Sequence, residues 1–221
     1  MELIREQLRL YLVTDPELCA TAGLLETVRA AVQGGVTMVQ LRDKQATTAA
    51  RIEAGRALRQ LLEGSGVPLI MNDDIDAAIA IGAHGVHVGQ SDLSPQEVRA
   101  RVGPSRIVGW SCETVAHAAA ADPDVVDYVG IGPVFATATK PDHAAALGLD
   151  GLAAARAATV LPSVAIGGIH LANGADVLAS GVNGLAVVSA ICGQPHPQQA
   201  AQALAELVSR THGQTSPSRI P

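Results

Sequence analysis

Eight short apolar runs rich in Val and Ile recur along this chain, and between them lie eight Ala-rich stretches at most, with apolar residues at helical spacing. That alternation of period-two and helical segments is the pattern of repeated βα units. The runs fall at about Leu8–Thr14, Met38–Leu41, Pro68–Met71, Gly85–Val88, Ile107–Trp110, Tyr128–Ile131, Ser163–Ile166 and Gly184–Val188. Strands joined by connections of this length pair in parallel through right-handed crossovers. Eight such units in 221 residues match a closed (β/α)8 TIM barrel, an α/β fold, with no residues left for a second domain. A doubly wound open sheet is the alternative. Against it, Tyr11-Leu12-Val13-Thr14-Asp15-Pro16 stands at the first strand, where a dinucleotide fold carries GxGxxG. Residues 1–211 are read as the barrel domain, and 212–221, polar and turn-rich from His212 on, as a disordered tail.

Local signals agree with this division. Ser94-Pro95-Gln96-Glu97 offers an N-cap, a proline at the first helical position and an acid in the first turn. Gly34-Gly35, Gly82, Gly103 and Gly181 each follow a helical stretch and precede a strand, as C-terminal caps do. Gly82-Ala83-His84-Gly85 and Gly181-Val182-Asn183-Gly184 look alike, the trace of a repeated unit.

Composition excludes several functions. The formal charge is −6 and no basic block occurs, which argues against a nucleic-acid groove. Cys19, Cys112 and Cys192 are odd in number and widely spaced, so neither a disulfide framework nor a zinc site is expected. Met1-Glu2-Leu3-Ile4-Arg5-Glu6 lacks an apolar signal core and no apolar run could span a bilayer, so a cytoplasmic protein without a membrane partner is expected. The cations are uneven: 13 Arg but only two Lys, Lys44 and Lys140.

A parallel barrel works at the carboxyl ends of its strands. The residues just after the runs are Thr14 and Asp15; Gln40, Arg42 and Lys44; Asn72 and Asp73; Gln90 and Asp92; Ser111; Thr137, Thr139 and Lys140; Gly167 and Gly168; and Ser189. Polar residues gather at any strand end, and a single Gln or Ser there means little. Both lysines, an arginine and paired aspartates on one rim mean more. Ala165-Ile166-Gly167-Gly168-Ile169 and Ala186-Val187-Val188-Ser189-Ala190-Ile191 form a separate signal, the paired loops that bind a phosphate monoester in many barrels. Glycine permits close backbone approach, and amide N–H groups from both loops, with a short helix expected after Ser189, would face the anion.

Arg42, Lys44 and Lys140 exceed what one such phosphate needs and arise from other strands, so they imply a second anion. Asp73 and Asp92 beside them would hold Mg²⁺, which prefers oxygen ligands and substrate phosphates. Each aspartate alone has a blander explanation as a helix cap, Asp73 before Ile75–Ile81 and Asp92 before Ser94-Pro95. Metal, Arg and Lys together suit a diphosphate leaving group. His87, inside the fourth run, reads as a packed core histidine.

Tyr11-Leu12-Val13-Thr14, Gln40-Leu41-Arg42-Asp43-Lys44, Asn72-Asp73, Gly85-Val86-His87-Val88-Gly89-Gln90-Ser91-Asp92 and Gly130 through Thr137-Ala138-Thr139-Lys140, with the two phosphate loops, resemble the thiamine-phosphate synthase family in unbroken order from Leu8 to Ile191. The resemblance implies a Mg²⁺-dependent transferase that joins hydroxymethylpyrimidine diphosphate to a thiazole phosphate through a pyrimidine-stabilised carbocation, releasing diphosphate. Carried over position by position, it implies that Gln40 contacts the pyrimidine and that Arg42, Lys44, Asn72 and Lys140 hold the diphosphate. Asp73 and Asp92 would bind the metal, and Ser111 would lie beside the pyrimidine and its leaving group. Thr137 and Thr139 would contact the thiazole, with Gly168, Val188 and Ser189 on its phosphate. Arg42, Ser111 and Lys140 are the expected catalytic members. Asp74 departs from the pattern where the family often has Arg, and Trp110 and Cys112 flank Ser111 where smaller or hydroxyl residues are common. A thiazole tautomerase of the same fold, or a barrel that only binds phosphate ligands, are the competing readings, and assembly into a homo-oligomer is left open.

Overall fold

The computed structural model describes residues 2–137 and 145–214. Eight parallel strands close into a barrel in sequence order: β1 (Leu10–Val13), β2 (Met38–Leu41), β3 (Leu69–Asn72), β4 (Gly85–Val88), β5 (Ile107–Cys112), β6 (Tyr128–Ile131), β7 (Ser163–Ala165) and β8 (Gly184–Val187). β8 pairs back onto β1 through Leu10 with Leu185 and Leu12 with Val187. The expected strands are present within a few residues of their expected bounds. Leu8, placed at the head of the first run, instead lies ahead of β1 and is fully buried in the barrel interior.

Among the described residues ten helices accompany the strands: α1 (Glu2–Gln7), α2 (Pro16–Cys19), α3 (Leu24–Gln33), α4 (Thr48–Leu61), α5 (Ile75–Ile81), α6 (Pro95–Val102), α7 (Val115–Ala120), α8 (Gly148–Ala157), α9 (Gly174–Ala179) and α10 (Pro197–Gln214). Ser94 caps α6 in a complete capping box with Glu97. Gly82 ends α5 in the left-handed conformation that a side chain resists (φ 63°, ψ 42°). α10 packs against α3 and α9 and continues through Gln214, so the segment expected as a tail begins inside a helix. Its remainder lies outside the described residues. None of the described helices is long and apolar enough to cross a membrane.

Strand side chains alternate between two layers, as the period of a pleated strand requires. Leu10 and Leu12, Val39 and Leu41, Leu69 and Met71, and Val86 and Val88 face the helices in one large apolar core. Tyr11 and Val13, Met38, Ile70, Tyr128, Val164 and Ala186 point into the barrel. Fully buried leucines of the outer layer such as Leu58 and Leu152 each contribute about 1.5–3 kcal/mol on burial. Most apolar burial therefore lies between strands and helices, and the upper interior is left to polar groups. Glycines make room there: a Cβ at Gly109 would run into Tyr128 and His87, and one at Gly130 would press on His87. Closure also joins the ends of the chain, since the Cys192 thiol after β8 donates to the Val13 carbonyl of β1 at 3.9 Å; all three cysteines are free, buried thiols.

Candidate active site

A cavity of about 350 Å³ opens at the carboxyl ends of the strands. Gln40, Arg42, Lys44, Asn72, Asp73, Asp92, Ser111, Thr137, Gly168, Val188 and Ser189 all line it. Of the residues singled out in the sequence, Thr139 and Lys140 lie outside the described residues.

One side of the cavity is charged. At the end of β2, Thr14 Oγ1 accepts the Arg42 N–H at 3.0 Å, and the Thr14 N–H donates to the Gln40 carbonyl at 3.0 Å, which fixes the backbone that presents both side chains. The Arg42 guanidinium pairs with no carboxylate among the described residues. Lys44 Nζ lies 3.0 Å from Asp73 Oδ2. Asp73 has a left-handed backbone (φ 58°), alone in this among the described non-glycine residues. Such strain costs on the order of 1–3 kcal/mol and persists where neighbours over-determine it. Here the Asp73 N–H donates to the His87 carbonyl at 3.0 Å and Lys44 holds the carboxylate. Burial, followed by the adjacent Asp92 carboxylate, pushes the Asp73 carboxyl above the ordinary range against the pull of Lys44.

The helix-cap explanation fails for both aspartates. The cap of α5 is Asp74, whose carboxylate accepts from the Ala77 N–H at 2.9 Å, and the cap of α6 is Ser94. Asp92 instead accepts from the Gly89 N–H at 2.7 Å, which closes the turn after β4 and leaves it beside Asp73. Asp74 also pairs with Arg51 at 2.9 Å, while Arg51 Nε donates to the Asp43 carbonyl at 2.8 Å. Arg51 on α4 thereby ties the loop that carries Lys44 to the loop that carries Asp73. Burial pushes the Asp74 carboxyl up, but the bonds from Ala77 and Arg51 outweigh it and hold the group below its ordinary value. The departure at Asp74 is thus a cap and a clamp.

The opposite side is built from backbone. Gly167 (φ 102°) and Gly168 (φ 63°) carry the chain over the β6 loop, where a Cβ on Gly168 would sit 2.8 Å from the Ala136 carbonyl oxygen. Their carbonyls are engaged, Gly167 by the Phe135 N–H at 3.0 Å and Gly168 by Asn173 Nδ2 at 2.9 Å. The Gly168 and Ser189 N–H groups donate to no described residue. The short helix expected after Ser189 is instead a hydrogen-bonded turn, closed by the Ile191 and Cys192 N–H groups on the Val188 carbonyl.

Between these sides runs a polar chain. Gln40 Nε2 donates to the Tyr11 hydroxyl at 2.7 Å, which lies 2.9 Å from the Tyr128 hydroxyl; Tyr128 in turn lies 2.9 Å from His87 Nδ1, and His87 Nε2 lies 2.9 Å from Ser111 Oγ. Burial pushes both phenols well up, so each keeps its proton. His87, expected in the packed core, is a cavity-lining side chain. The Val86 and Val88 side chains beside it take the outward positions, and the pleat turns His87 inward. Trp110 and Cys112, which flank Ser111 in sequence, pack in the outer core for the same reason and do not line the cavity. Tyr11, Tyr128 and Glu113 were not singled out as site residues. For the tyrosines the available signal was strand register: on β1 and β6 they occupy the inward positions next to Val13 and Gly130.

Residues 10–191 match the model of the family described as thiamine monophosphate synthase. The chain is 53% identical over 197 residues to the thiamine-phosphate synthase of Xanthobacter autotrophicus, covering 89% of this chain and 93% of that one. It is 49% identical over 201 residues to the thiamine-phosphate synthase of Azorhizobium caulinodans, covering 91% and 95%. Among solved structures, the thiamine phosphate pyrophosphorylase from Pyrococcus furiosus superposes with a TM-score of 0.86 at 35% identity, covering 94% of this chain and 98% of that one. With a matching barrel, a cavity at the expected rim and similarity across nearly its whole length, the chain belongs to the thiamine monophosphate synthase family.

Proposed function

We propose that this barrel is a thiamine-phosphate synthase, joining hydroxymethylpyrimidine diphosphate to thiazole phosphate to give thiamine monophosphate and diphosphate. The observation that supports the reading is that one cavity is lined on one side by Arg42, which pairs with no carboxylate among the described residues, with Lys44, Asp73 and Asp92, and on the other by Gly168 and Ser189, whose N–H groups donate to no described residue, so that two chemically different surfaces would each suit an anion. A tautomerase acting on the thiazole phosphate alone has no use for the first.

Asp73 and Asp92 fit a magnesium ion. They are neighbouring oxygen donors, and burial followed by the adjacent Asp92 carboxylate raises the Asp73 carboxyl, a cost that a cation between them would relieve. Among the described residues no cluster of three or more metal-binding side chains exists, so diphosphate and water would complete the coordination. Bound Mg²⁺ would neutralise diphosphate charge and improve the leaving group. Arg42, Lys44, Asn72 and Lys140 hold the diphosphate oxygens, on which charge grows as the bond from the pyrimidine methylene carbon to oxygen breaks. Gln40 and Ser111 hold the pyrimidine, whose ring electrons stabilise the cationic carbon. Thr137 and Thr139 orient the thiazole while Gly168, Val188 and Ser189 seat its phosphate, so that the thiazole nitrogen lone pair forms the new bond. The nitrogen carries no proton and becomes quaternary, so the reaction needs no general base. Arg42, Ser111 and Lys140 touch the departing group and are the catalytic residues.

The test is direct: purified protein is mixed with both substrates and Mg²⁺ and diphosphate release is followed. Release that requires both substrates supports the reading, and none from folded protein overturns it, leaving the non-catalytic barrel.

A further inference from the structure

The polar chain through the barrel has more order than a packed core requires. Its members come from β2, β1, β6, β4 and β5 in turn, and the two tyrosine hydroxyls meet in the interior with their rings edge to face at 6.0 Å. Tyr11 and Tyr128 are 1% and 0% exposed, so water does not substitute for a missing partner. A neutral phenol has one proton to give, and a neutral imidazole donates from one nitrogen and accepts at the other. These rules leave little choice of proton order. Gln40 Nε2 can only donate, so Tyr11 accepts from it and passes its own proton to Tyr128. Tyr128 donates to His87 Nδ1, which places the imidazole proton on Nε2, facing Ser111 Oγ. The Ser111 proton is then left for the cavity, and so is the Gln40 carbonyl oxygen. The opposite order is equally complete only if the Gln40 amide turns over and the imidazole changes tautomer together. Any mixed order strands a phenol proton or lone pair in the interior, which is strongly disfavoured.

We propose that this relay is a specificity device: Tyr11, Tyr128 and His87 are positioning residues that lock Gln40 and Ser111 into opposite hydrogen-bonding roles, one an acceptor and the other a donor toward the bound ring. The inference rests on the reading that places the pyrimidine between Gln40 and Ser111. An aminopyrimidine suits the first of these two orders, its amine N–H meeting the Gln40 oxygen and an acceptor on the ring or its diphosphate taking the Ser111 proton. A ring whose exocyclic amine is replaced by a carbonyl offers the inverted pattern, and the relay can accommodate it only by reversing throughout.

The experiment compares dissociation constants of the amino- and oxo-pyrimidine diphosphates, titrated with Mg²⁺ into the full-length wild type, Tyr128→Phe and Tyr11→Phe. A ratio of two constants from one preparation does not depend on the fraction of active protein. Cutting any inner link uncouples the ends, so the wild-type preference for the amino ring should shrink about tenfold in each variant, the size of one neutral hydrogen bond. Affinity for thiazole phosphate should stay unchanged. Tyr11→Phe cuts the chain one link away and carries the test if Tyr128→Phe does not fold. An unchanged ratio in a folded variant, or a wild type with no preference, overturns the relay. Failure of the wild type to release diphosphate while the ratio shifts as expected overturns the functional reading instead.

Discussion

Gly168 and Gly82 share a backbone φ of 63° but not their surroundings, and that difference isolates the proposed phosphate seat. A Cβ on Gly82, at the end of α5 and remote from the cavity, would meet nothing within 4 Å. A Cβ on Gly168 would lie 2.8 Å from both the Ala136 carbonyl oxygen and Phe135 Cβ, closer than real contacts allow. In Gly82→Ala the left-handed residue costs about 1–2 kcal/mol, and the stiffer unfolded chain returns about 0.4–1 kcal/mol. The net loss of about 1 kcal/mol lowers Tm by about 3 °C in a chain of this size. Gly168→Ala adds the overpacking of a tight loop, about 1–3 kcal/mol, for a fall in Tm of roughly 5–12 °C. The loop must also shift, which misaims the Gly168 N–H, and a hydrogen bond to a charged group is worth about 1.5–3 kcal/mol. The KM for thiazole phosphate should therefore rise about tenfold or more in Gly168→Ala, with that for the pyrimidine diphosphate unchanged, and neither should move in Gly82→Ala. Steady-state kinetics of diphosphate release with melting curves on both variants is the assay. Equal thiazole-phosphate KM values in the two variants would falsify the assignment of this loop.

Asp73→Asn should raise the Mg²⁺ concentration for half-maximal rate at least about tenfold, yet increase Tm without metal by about 2–4 °C, because it removes a buried charge beside Asp92 and Asn tolerates the left-handed backbone better; a lower Tm with unchanged Mg²⁺ response contradicts both halves. Lys140→Ala should cut turnover about a hundredfold or more, since one donor to the departing charge acts on the transition state, while Tm is nearly unchanged; wild-type turnover refutes the leaving-group role. His84 Nδ1 accepts from the Leu69 N–H at 2.9 Å, and burial, with Arg59 beside it, holds the imidazole below its ordinary value of 6.5. The folded state then resists a proton that the unfolded chain accepts, so the His84 contribution is complete above pH 6.5 and is lost as pH falls through that value toward the lower folded one. Urea midpoints between pH 7.5 and 5.5 should fall less in His84→Asn, whose amide oxygen can accept the same bond; an identical fall in both proteins excludes His84 as the source.

The charged rim was legible in the chain because each of its members stands at the end of a strand-like run or within a few residues of it, and strand ends in a parallel barrel share one face. Gln40, Arg42, Lys44, Asn72, Asp73, Asp92, Ser111, Gly168 and Ser189 needed nothing more to be gathered into one cavity. Helix ends were less legible. Asp73 and Asp74 are adjacent acids before the same helix, and local sequence does not say which one caps it; the choice belongs to Arg51, which arrives from α4 to pair with Asp74 and leaves Asp73 turned toward Lys44. The turn after Ser189 likewise has helical composition, but its amides close on Val188 and the helix begins only at Pro197.

What the sequence determined by itself is whatever depends on spacing along one strand or helix: the eight βα units, the barrel and the rim that carries the two proposed anion seats. What only the tertiary structure decided is whatever depends on which strands face one another across the interior. Tyr11 and Tyr128 are 117 residues apart and carry no local mark of function, and His87 between two valines reads as core. Closing β8 onto β1 turns the inward side chains of all eight strands toward a common axis, and only there do two phenols and an imidazole become links between Gln40 and Ser111.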